Sequence, residues 1–482
     1  MTFDLLIIGG GINGCAIARE ASLLGLKVLL VEKDDLASHT SSASTKLIHG
    51  GLRYLETYEF RLVREALHER ERLLTAAPHL IRPMTFVLPH AHSVRPWWMV
   101  RAGLFLYDLL AAPSSLPRSR GLHATDTAYN GPLKGEHRGF VYSDAWVDDA
   151  RLTLANALDA AAHDAEIATR TELMSAKRHE GSWQATLSDG RTVEARAIVN
   201  AAGPWVAQLF DRLDADARSK VRLVKGSHIV VPRLFEGDHA YILQQPDRRI
   251  VFAIPYEGEF TEIGTTDIPV ERPEDAVCSH AEVQYLCDAV NRYFTRQVAP
   301  ADVAWKWSGV RPLHDDGAAK AQAVTRDYVL ELDEEGAPLL SVFGGKITTA
   351  RALAEEAMAK LAPVLGVDPE PMTRARVFPG GAIPEFGRFL AQIRMRWPFL
   401  GEARSLRMAH AYGEKLHEML RDTTELGEDL GGGLSETEIR WMRDREWART
   451  AEDVLWRRSK IGLHVGANAE RRIAALLDQS VR

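Results

Sequence analysis

Residues 41–55 read SSASTKLIHGGLRYL, and that short span holds several of the groups a polar reaction needs. His49 has a reference pKa of about 6.5 and can take up a proton at neutral pH. Arg53 offers a planar fork of donors that matches two oxygens of one phosphate. Gly50 and Gly51 let backbone pass close to a ligand, where a side chain would clash. The hydroxyls of Ser41, Ser42 and Ser44 suit a chain lying beside a long polar group. The segment has too few apolar residues for a core helix and too little alternation for a strand, so it reads as a binding segment.

The element that must position it stands just upstream. FDLLIIGGGINGCAIAREASLLGLKVLLVEK, residues 3–33, reads as one β-α-β unit. DLLII is a short apolar strand, a helical pattern follows and stops at Gly25, and LKVLLVE is a second strand ending on Glu32. Between strand and helix, Gly9, Gly11 and Gly14 form G-x-G-x-x-G. Gly9 permits a tight turn, Gly11 lets a pyrophosphate approach the backbone, and Gly14 lets helix and strand pack closely. The helix N-terminus turns free N–H groups and a positive dipole end toward the phosphates. Glu32 lies eighteen residues after Gly14, where a carboxylate can accept both hydroxyls of a ribose.

This fingerprint alone serves FAD and NAD equally, and two later turns favour FAD. ARAIVNAAGPWV (195–206) is an apolar strand breaking at Ala202-Gly203-Pro204. PLLSVFGGKITTARALAEEAMAKLA (338–362) is a strand, a Gly344-Gly345 turn and an amphipathic helix. The N-terminus of that helix can face the pyrimidine end of a flavin and stabilise negative charge there. The chain has no second G-x-G-x-x-G, so a separate NAD site is not indicated.

A chain of 482 residues exceeds one simple core and implies two or three domains. Its 46% hydrophobic and 26% charged residues fit a globular enzyme. A net charge of −7 argues against a nucleic-acid partner, and an anionic substrate would need a local basic pocket. Three cysteines without a C-x-x-C pair suggest a reducing compartment and offer neither a disulfide framework nor a metal site. Neither a signal peptide nor a membrane-spanning run is expected.

Taken together, these stretches resemble the FAD-dependent glycerol-3-phosphate dehydrogenases, closely the bacterial aerobic, respiratory type. The likeness runs in order through GGGINGCAIA, TSSASTKLIHGGLRYLE, YEFRLVREALHERE, YSDAWVDDARLTLANA, NAAGPWV, LVKGSHIVVPR, GTTDIP, SGVRPL and SVFGGKITT. It continues in GEDLG and EWARTAEDVLWRRSKIG and so covers nearly the whole chain. The resemblance implies oxidation of the C2 alcohol of sn-glycerol 3-phosphate to dihydroxyacetone phosphate, with hydride passing to flavin N5. It implies cofactor contacts at Gly9, Gly11, Gly14, Glu32, Ser41, Ser42, Lys46, His49, Gly50, Gly203, Gly345, Lys346 and Thr348. Arg53, Tyr54, Arg311 and Lys346 would bind substrate, and His228, His49 and Arg311 would be catalytic. His228 would project from a roof strand and is favoured over His49 as base, a choice left open. A lysine at a helix start opposes the dipole, so Lys346 points to a nearby anion. Rival readings are a glycerol-3-phosphate oxidase using oxygen and an FAD-dependent amine or amino-acid oxidase. The stretch 314–328 departs from the family pattern and is expected to alter surface shape.

The fold so implied is α/β, with a Rossmann-like FAD-binding domain of the D-amino-acid-oxidase type. That domain would take residues 1–90, 145–210 and 305–365. An antiparallel-sheet substrate domain would take 91–144 and 211–304, and an all-helical C-terminal domain 375–482. Electrons would pass to a membrane quinone, which places the chain peripherally on the cytoplasmic face of the inner membrane, or else in the cytoplasm, with a homodimer as a further expected partner. HSVRPWWMVRAGLFLYDLLAAPSSLPRSR (92–120) joins Trp97, Trp98, Phe105 and Tyr107 to Arg95, Arg101, Arg118 and Arg120. That make-up suits an interfacial helix, and a core helix with basic ends is the reading preferred over it. The basic cluster LWRRSK (455–460) is a second membrane candidate.

Overall fold

The structure, a computed structural model, describes residues 2–135, 138–216, 219–314, 327–421 and 423–479. Most of the stretch 314–328 therefore lies outside the described residues.

The N-terminal strand Thr2–Ile8 sits at the centre of an eight-stranded sheet, between Thr192–Asn200 and Val28–Glu32. These three strands are parallel, and Leu339–Phe343 and Glu166–Thr169 extend the parallel set on either side. Parallel strands are covered on both faces, which is why DLLII and VLLVE are nearly continuous apolar runs. The first helix, Ile12–Leu23, packs between Asp149–Ala161 and Ala350–Leu365. Helices flank it on both sides, so small residues such as Ala16, Ala18 and Ala21 are buried around it. Register pairs Ile8 with Asn200 and with Val31, and Asn200 with Ser341. The carboxyl ends of four strands therefore form one rim. Gly9, Glu32, Ala202-Gly203 and Gly344-Gly345 are distant in sequence and meet along it.

A second, ten-stranded sheet forms the roof. Its strand Val221–Pro232 pairs antiparallel with Trp305–His314 along ten residues and with Phe260–Gly264. Alternation divides the two faces of that strand. Lys225 and Ser227 turn to Glu282 on the helix His280–Asn291, while Gly226 lies against the Arg311 guanidinium and His228 against Thr45. The strands Ile81–Pro89 and Gly139–Val147 also pair within this sheet. The two sheets thus share out the chain differently from the expected segment ends at residues 90, 145 and 305.

The C-terminal part carries its own apolar core, built by helices such as Phe386–Arg396, Gly401–Tyr412 and Glu436–Arg445. A small hairpin, Asp429–Gly431 with Leu434–Ser435, interrupts them. The cluster LWRRSK is not on the surface. Arg457 and Arg458 reach Asp35 at 2.7 and 2.8 Å, and Lys460 reaches Asp148 at 2.6 Å and Asp149 at 2.7 Å. Arg457, Arg458 and Lys460 are buried. Their charges are already paired inside the protein, so the expectation that this cluster meets lipid is corrected.

The helix Trp97–Leu110 resolves the other open choice. Val100, Leu104 and Tyr107 form its buried stripe. Trp98, Phe105 and Leu109 form the opposite stripe and are 68%, 62% and 61% exposed. It is amphipathic rather than a core helix. Tyr107 does not belong to the outer face, because its hydroxyl donates to buried Asp144 at 2.7 Å. Arg95 is paired with Glu56, and Arg120 with Asp126, so Arg101 and Arg118 remain on the outside. No helix among the described residues is long and apolar enough to cross a membrane.

Candidate cofactor cleft and active site

The rim of the parallel sheet opens into an elongated cleft walled by Gly9, Gly11, Glu32, Ser41, Gly203 and Gly345. The three fingerprint glycines divide the work. Gly9 has φ +114°, and a Cβ there would stand 2.4 Å from the Ala201 carbonyl oxygen. A Cβ on Gly14 would stand 2.0 Å from the Gly9 oxygen. A Cβ on Gly11 would meet only the Ser41 hydroxyl, at 3.2 Å, so Gly11 faces the cleft. The N–H of Ile12, one of the helix's first donors, is taken by the Ser41 hydroxyl at 2.9 Å.

Glu32 is buried, and its two oxygens accept the N–H of Gly10 at 2.6 Å and of Asp34 at 2.9 Å. Burial raises its pKa, and those two donors oppose the rise. Each oxygen keeps a second lone pair for a ribose hydroxyl. At the far end, Asn13 donates to the Gly344 carbonyl at 3.1 Å. Its own Oδ1 is buried and, among the described residues, has no partner. An orphaned amide oxygen in a glycine-walled cleft, below a helix N-terminus, fits a long phosphorylated cofactor that brings its own donors. Ser42 and Lys46 do not line this cleft. They wall a neighbouring cavity of about 690 Å³ with Trp205, Trp305, Trp307 and Trp456.

Of the residues expected on the substrate side, Lys346 and Tyr54 meet each other, and Arg311 stands on the roof strand Trp305–His314. His49, Arg53, Tyr54, Arg311 and Lys346 are half-buried, and Thr348 is buried. The Lys346 ammonium lies 4.3 Å from the centre of the Tyr54 ring. Lys346 precedes the helix Ala350–Leu365 by one turn. Arg311 is held by Asp267 and donates to the Thr265 hydroxyl at 3.2 Å. It lies so close to Gly226 that a Cβ there would be 2.4 Å from its Nη2. The N–H of Gly51 reaches His49 Nδ1 at 3.1 Å, and the N–H of Gly50 donates to the Tyr107 hydroxyl at 2.8 Å. The Gly-Gly turn is therefore anchored to the amphipathic helix.

His228 is placed differently. It is buried, and its Nε2 lies 2.9 Å from the Thr45 hydroxyl. Burial pushes its pKa well below the usual value, with the charges of Lys46 and Arg311 adding to the effect.

With this geometry in place, likeness to known proteins decides the family. The family model described as FAD dependent oxidoreductase matches residues 4–351. A glycerol-3-phosphate dehydrogenase of Pseudomonas aeruginosa is 50% identical over 98% of this chain and 95% of its own length. The chain belongs to the FAD-dependent glycerol-3-phosphate dehydrogenase family. A D-erythritol 1-phosphate dehydrogenase of Brucella abortus is 49% identical to this chain, covering 98% of this chain and 96% of its own. Among solved structures, the glycerol-3-phosphate dehydrogenase of Bacillus halodurans complexed with FAD aligns with a TM-score of 0.74 and 27% identity. That alignment covers 95% of this chain and 86% of the other. The cofactor of the cleft is FAD, and the architecture is the FAD-dependent oxidoreductase fold.

Sequence reasoning missed four groups at the site: Asn13, Thr45, Asp149 and Glu262. Glu262 had a signal. It stands in FTEIG, where the alternation of a strand puts its carboxylate on the same face as Phe260 and Gly264, with no polar neighbour there. Asp149 sits in the first turn of its helix behind the capping residue Asp148 and is indistinguishable there from an ordinary helix start.

Proposed function

We propose that this chain oxidises glycerol 3-phosphate to dihydroxyacetone phosphate and hands the electrons to a quinone at a membrane surface. The observation that supports the substrate reading is that Arg53, Arg311 and Lys346 are half-buried in a chain of net charge −7, with Pro312 and Gly345, the neighbours of two of them, on the cleft wall. Three cations kept out of full solvent suit a phosphate dianion. Bound FAD supplies the hydride acceptor. Arg311 is aimed by Asp267 and Thr265 and grips phosphate or alcohol oxygen, while Tyr54 steadies the Lys346 ammonium. A second reading, D-erythritol 1-phosphate, is favoured by the Brucella relative at nearly equal identity. The two polyol phosphates share a phosphate and a secondary alcohol and differ in length.

The test is anaerobic addition of each polyol phosphate to the purified yellow protein while the flavin absorbance is followed. Bleaching by glycerol 3-phosphate is expected. Bleaching by the four-carbon compound alone would reassign the substrate, and bleaching by neither would end the reading. Stoichiometric peroxide under air would replace the quinone by oxygen.

The membrane reading rests on the exposed stripe Trp98, Phe105 and Leu109, with Arg101 and Arg118 beside it. Fully burying such a side chain contributes about 1.5–3 kcal/mol. Trp98→Glu with Phe105→Glu should therefore weaken binding to anionic vesicles by about two orders of magnitude. Turnover with a soluble dye and FAD content should stay near normal, because the buried stripe is untouched. High salt should weaken wild-type binding through Arg101 and Arg118. Unchanged vesicle binding by the double variant would move the contact elsewhere.

A further inference from the structure

Glu262 is a buried acid to which the proposed reaction has so far given no task. It lies on the strand Phe260–Gly264 and is fully buried. Among the described residues neither of its oxygens has a hydrogen-bond partner. A buried carboxylate without donors is costly unless it holds a proton or shares one. Its Oε1 stands 3.8 Å from Nε2 of His228, the same nitrogen that meets the Thr45 hydroxyl at 2.9 Å. The other ring nitrogen of His228 also lacks a partner among the described residues. The ring is fixed in place. Trp307 stacks on it with 5.4 Å between centroids and a 14° tilt. The backbone of Gly264 lies so close that a Cβ would be 1.9 Å from the imidazole Cδ2.

The charges around the pair come from several elements. Lys46 of the cofactor segment, Lys460 of the C-terminal part and Arg311 of the roof are positive; Asp149 of the helix Asp149–Ala161 is negative. Tyr256 faces Glu262 from the neighbouring strand and stays neutral, because burial pushes its pKa far up. Lys46 and Lys460 are already matched to Asp149 and Asp148. An imidazolium at His228 alone would add a positive charge beside Lys46 and Arg311. An ionised Glu262 removes that obstacle.

We propose that Glu262 and His228 together form the proton acceptor of the oxidation, joined to the substrate side through the Thr45 hydroxyl. The proposal rests on the alcohol-oxidation reading above. In the proton step the alcohol O–H bond breaks and its electron pair stays on the oxygen. That proton goes to Thr45 Oγ while the Thr45 proton goes to His228 Nε2, so one N–H bond forms. The pair changes from one net negative charge to none. Glu262 is a positioning residue in this scheme: it acts on the alcohol only through His228.

Burial raises the Glu262 pKa to about 7, against the pull of Lys46 and Lys460. The acceptor is therefore ready only above that pH. For the holoenzyme with a soluble dye, kcat/KM should rise through about pH 7 and then level off. Glu262→Gln keeps the shape and removes the charge. It should lower the plateau by about 100-fold, at the lower end of the usual range for general-base catalysis, and abolish the step near pH 7. Thr45→Val, which leaves the pair intact, should lower the plateau similarly.

A second readout does not use activity. A carboxyl with a raised folded pKa stabilises fully below its unfolded value and loses that contribution as pH rises through the folded one. The melting temperature of wild type should therefore fall relative to Glu262→Gln between pH 5 and pH 8. A melting difference independent of pH, or a Glu262→Gln enzyme that keeps the step near pH 7 within threefold of wild-type rate, overturns the proposal. Failure of the substrate reading looks different. Wild type would then be bleached by neither polyol phosphate, whatever stands at position 262, and the proposal would fall with it.

Discussion

Arg311→Lys will not restore the activity lost in Arg311→Ala. The guanidinium is built into the roof by two partners, Asp267 and the Thr265 hydroxyl, and by its contact with Gly226. A lysine is a point charge on a flexible stem and cannot satisfy both partners and still present two donors to one substrate. Loss of one charged donor to a phosphate dianion costs about 2–4 kcal/mol, or roughly 30- to 1000-fold in kcat/KM. Both variants should fall in that range. FAD content should be unchanged, since Arg311 does not line the cofactor cleft. Steady-state kinetics with a soluble acceptor decides the matter. Near-normal kcat/KM in both Arg311→Lys and Arg53→Ala would place the phosphate elsewhere.

Asp149→Ala should destabilise the protein by about 3–5 kcal/mol, since it leaves buried Lys46 without its carboxylate and Lys460 with Asp148 alone. Asp149 is fully buried and meets Lys46 at 3.2 Å, Lys460 at 2.7 Å and the Ser44 hydroxyl at 2.8 Å. Burial alone would raise its pKa, and the two ammonium groups win and hold it far below the usual carboxylate range. A depressed folded pKa contributes stability above the unfolded value, near 4, which is lost as pH falls through the folded one. The wild-type contribution is thus intact at neutral pH and fails only in strong acid, while the variant lacks it throughout. Urea midpoints and FAD retention measure the loss. Asp149→Ala combined with Lys46→Met should recover part of it, because the uncompensated charge goes too. A single variant as stable as wild type would show that the lysines find other partners.

What the sequence revealed, and what it withheld, follows physical range. The β-α-β unit of residues 3–33 was legible because strand, glycine turn, helix and acid are adjacent, with a continuous apolar run on either side of a helical pattern. The rim turns at Gly203 and Gly344 were legible as breaks in apolar strands. The helix Trp97–Leu110 was only half legible. Its composition suits membrane and core alike, and the choice needs the burial stripe that packing on Phe140 and Tyr142 imposes. Least legible were groups whose partners are remote. Lys46 and Asp149 are 103 positions apart, and Asp35 and Arg457 are 422 apart. Read locally, residues 455–460 are a basic surface patch. Ser42 and Lys46 were grouped with Ser41 by adjacency, yet the chain turns between them and they face the next cavity.

The ionic contacts between the last part of the chain and the first bear on how the molecule is made. Asp35, Asp148 and Asp149 are in place once the first third of the polypeptide has been synthesised. Their counter-ions Arg457, Arg458 and Lys460 follow 311 to 423 positions later. Until then Asp35 lacks both of its arginines and Asp149 has only Lys46 of its two lysines, and water must stay where the finished protein is dry. A ribosome-bound chain therefore has to present residues 457–460 before this region can dry out, and a chain cut short before residue 457 should be degraded faster by cellular proteases.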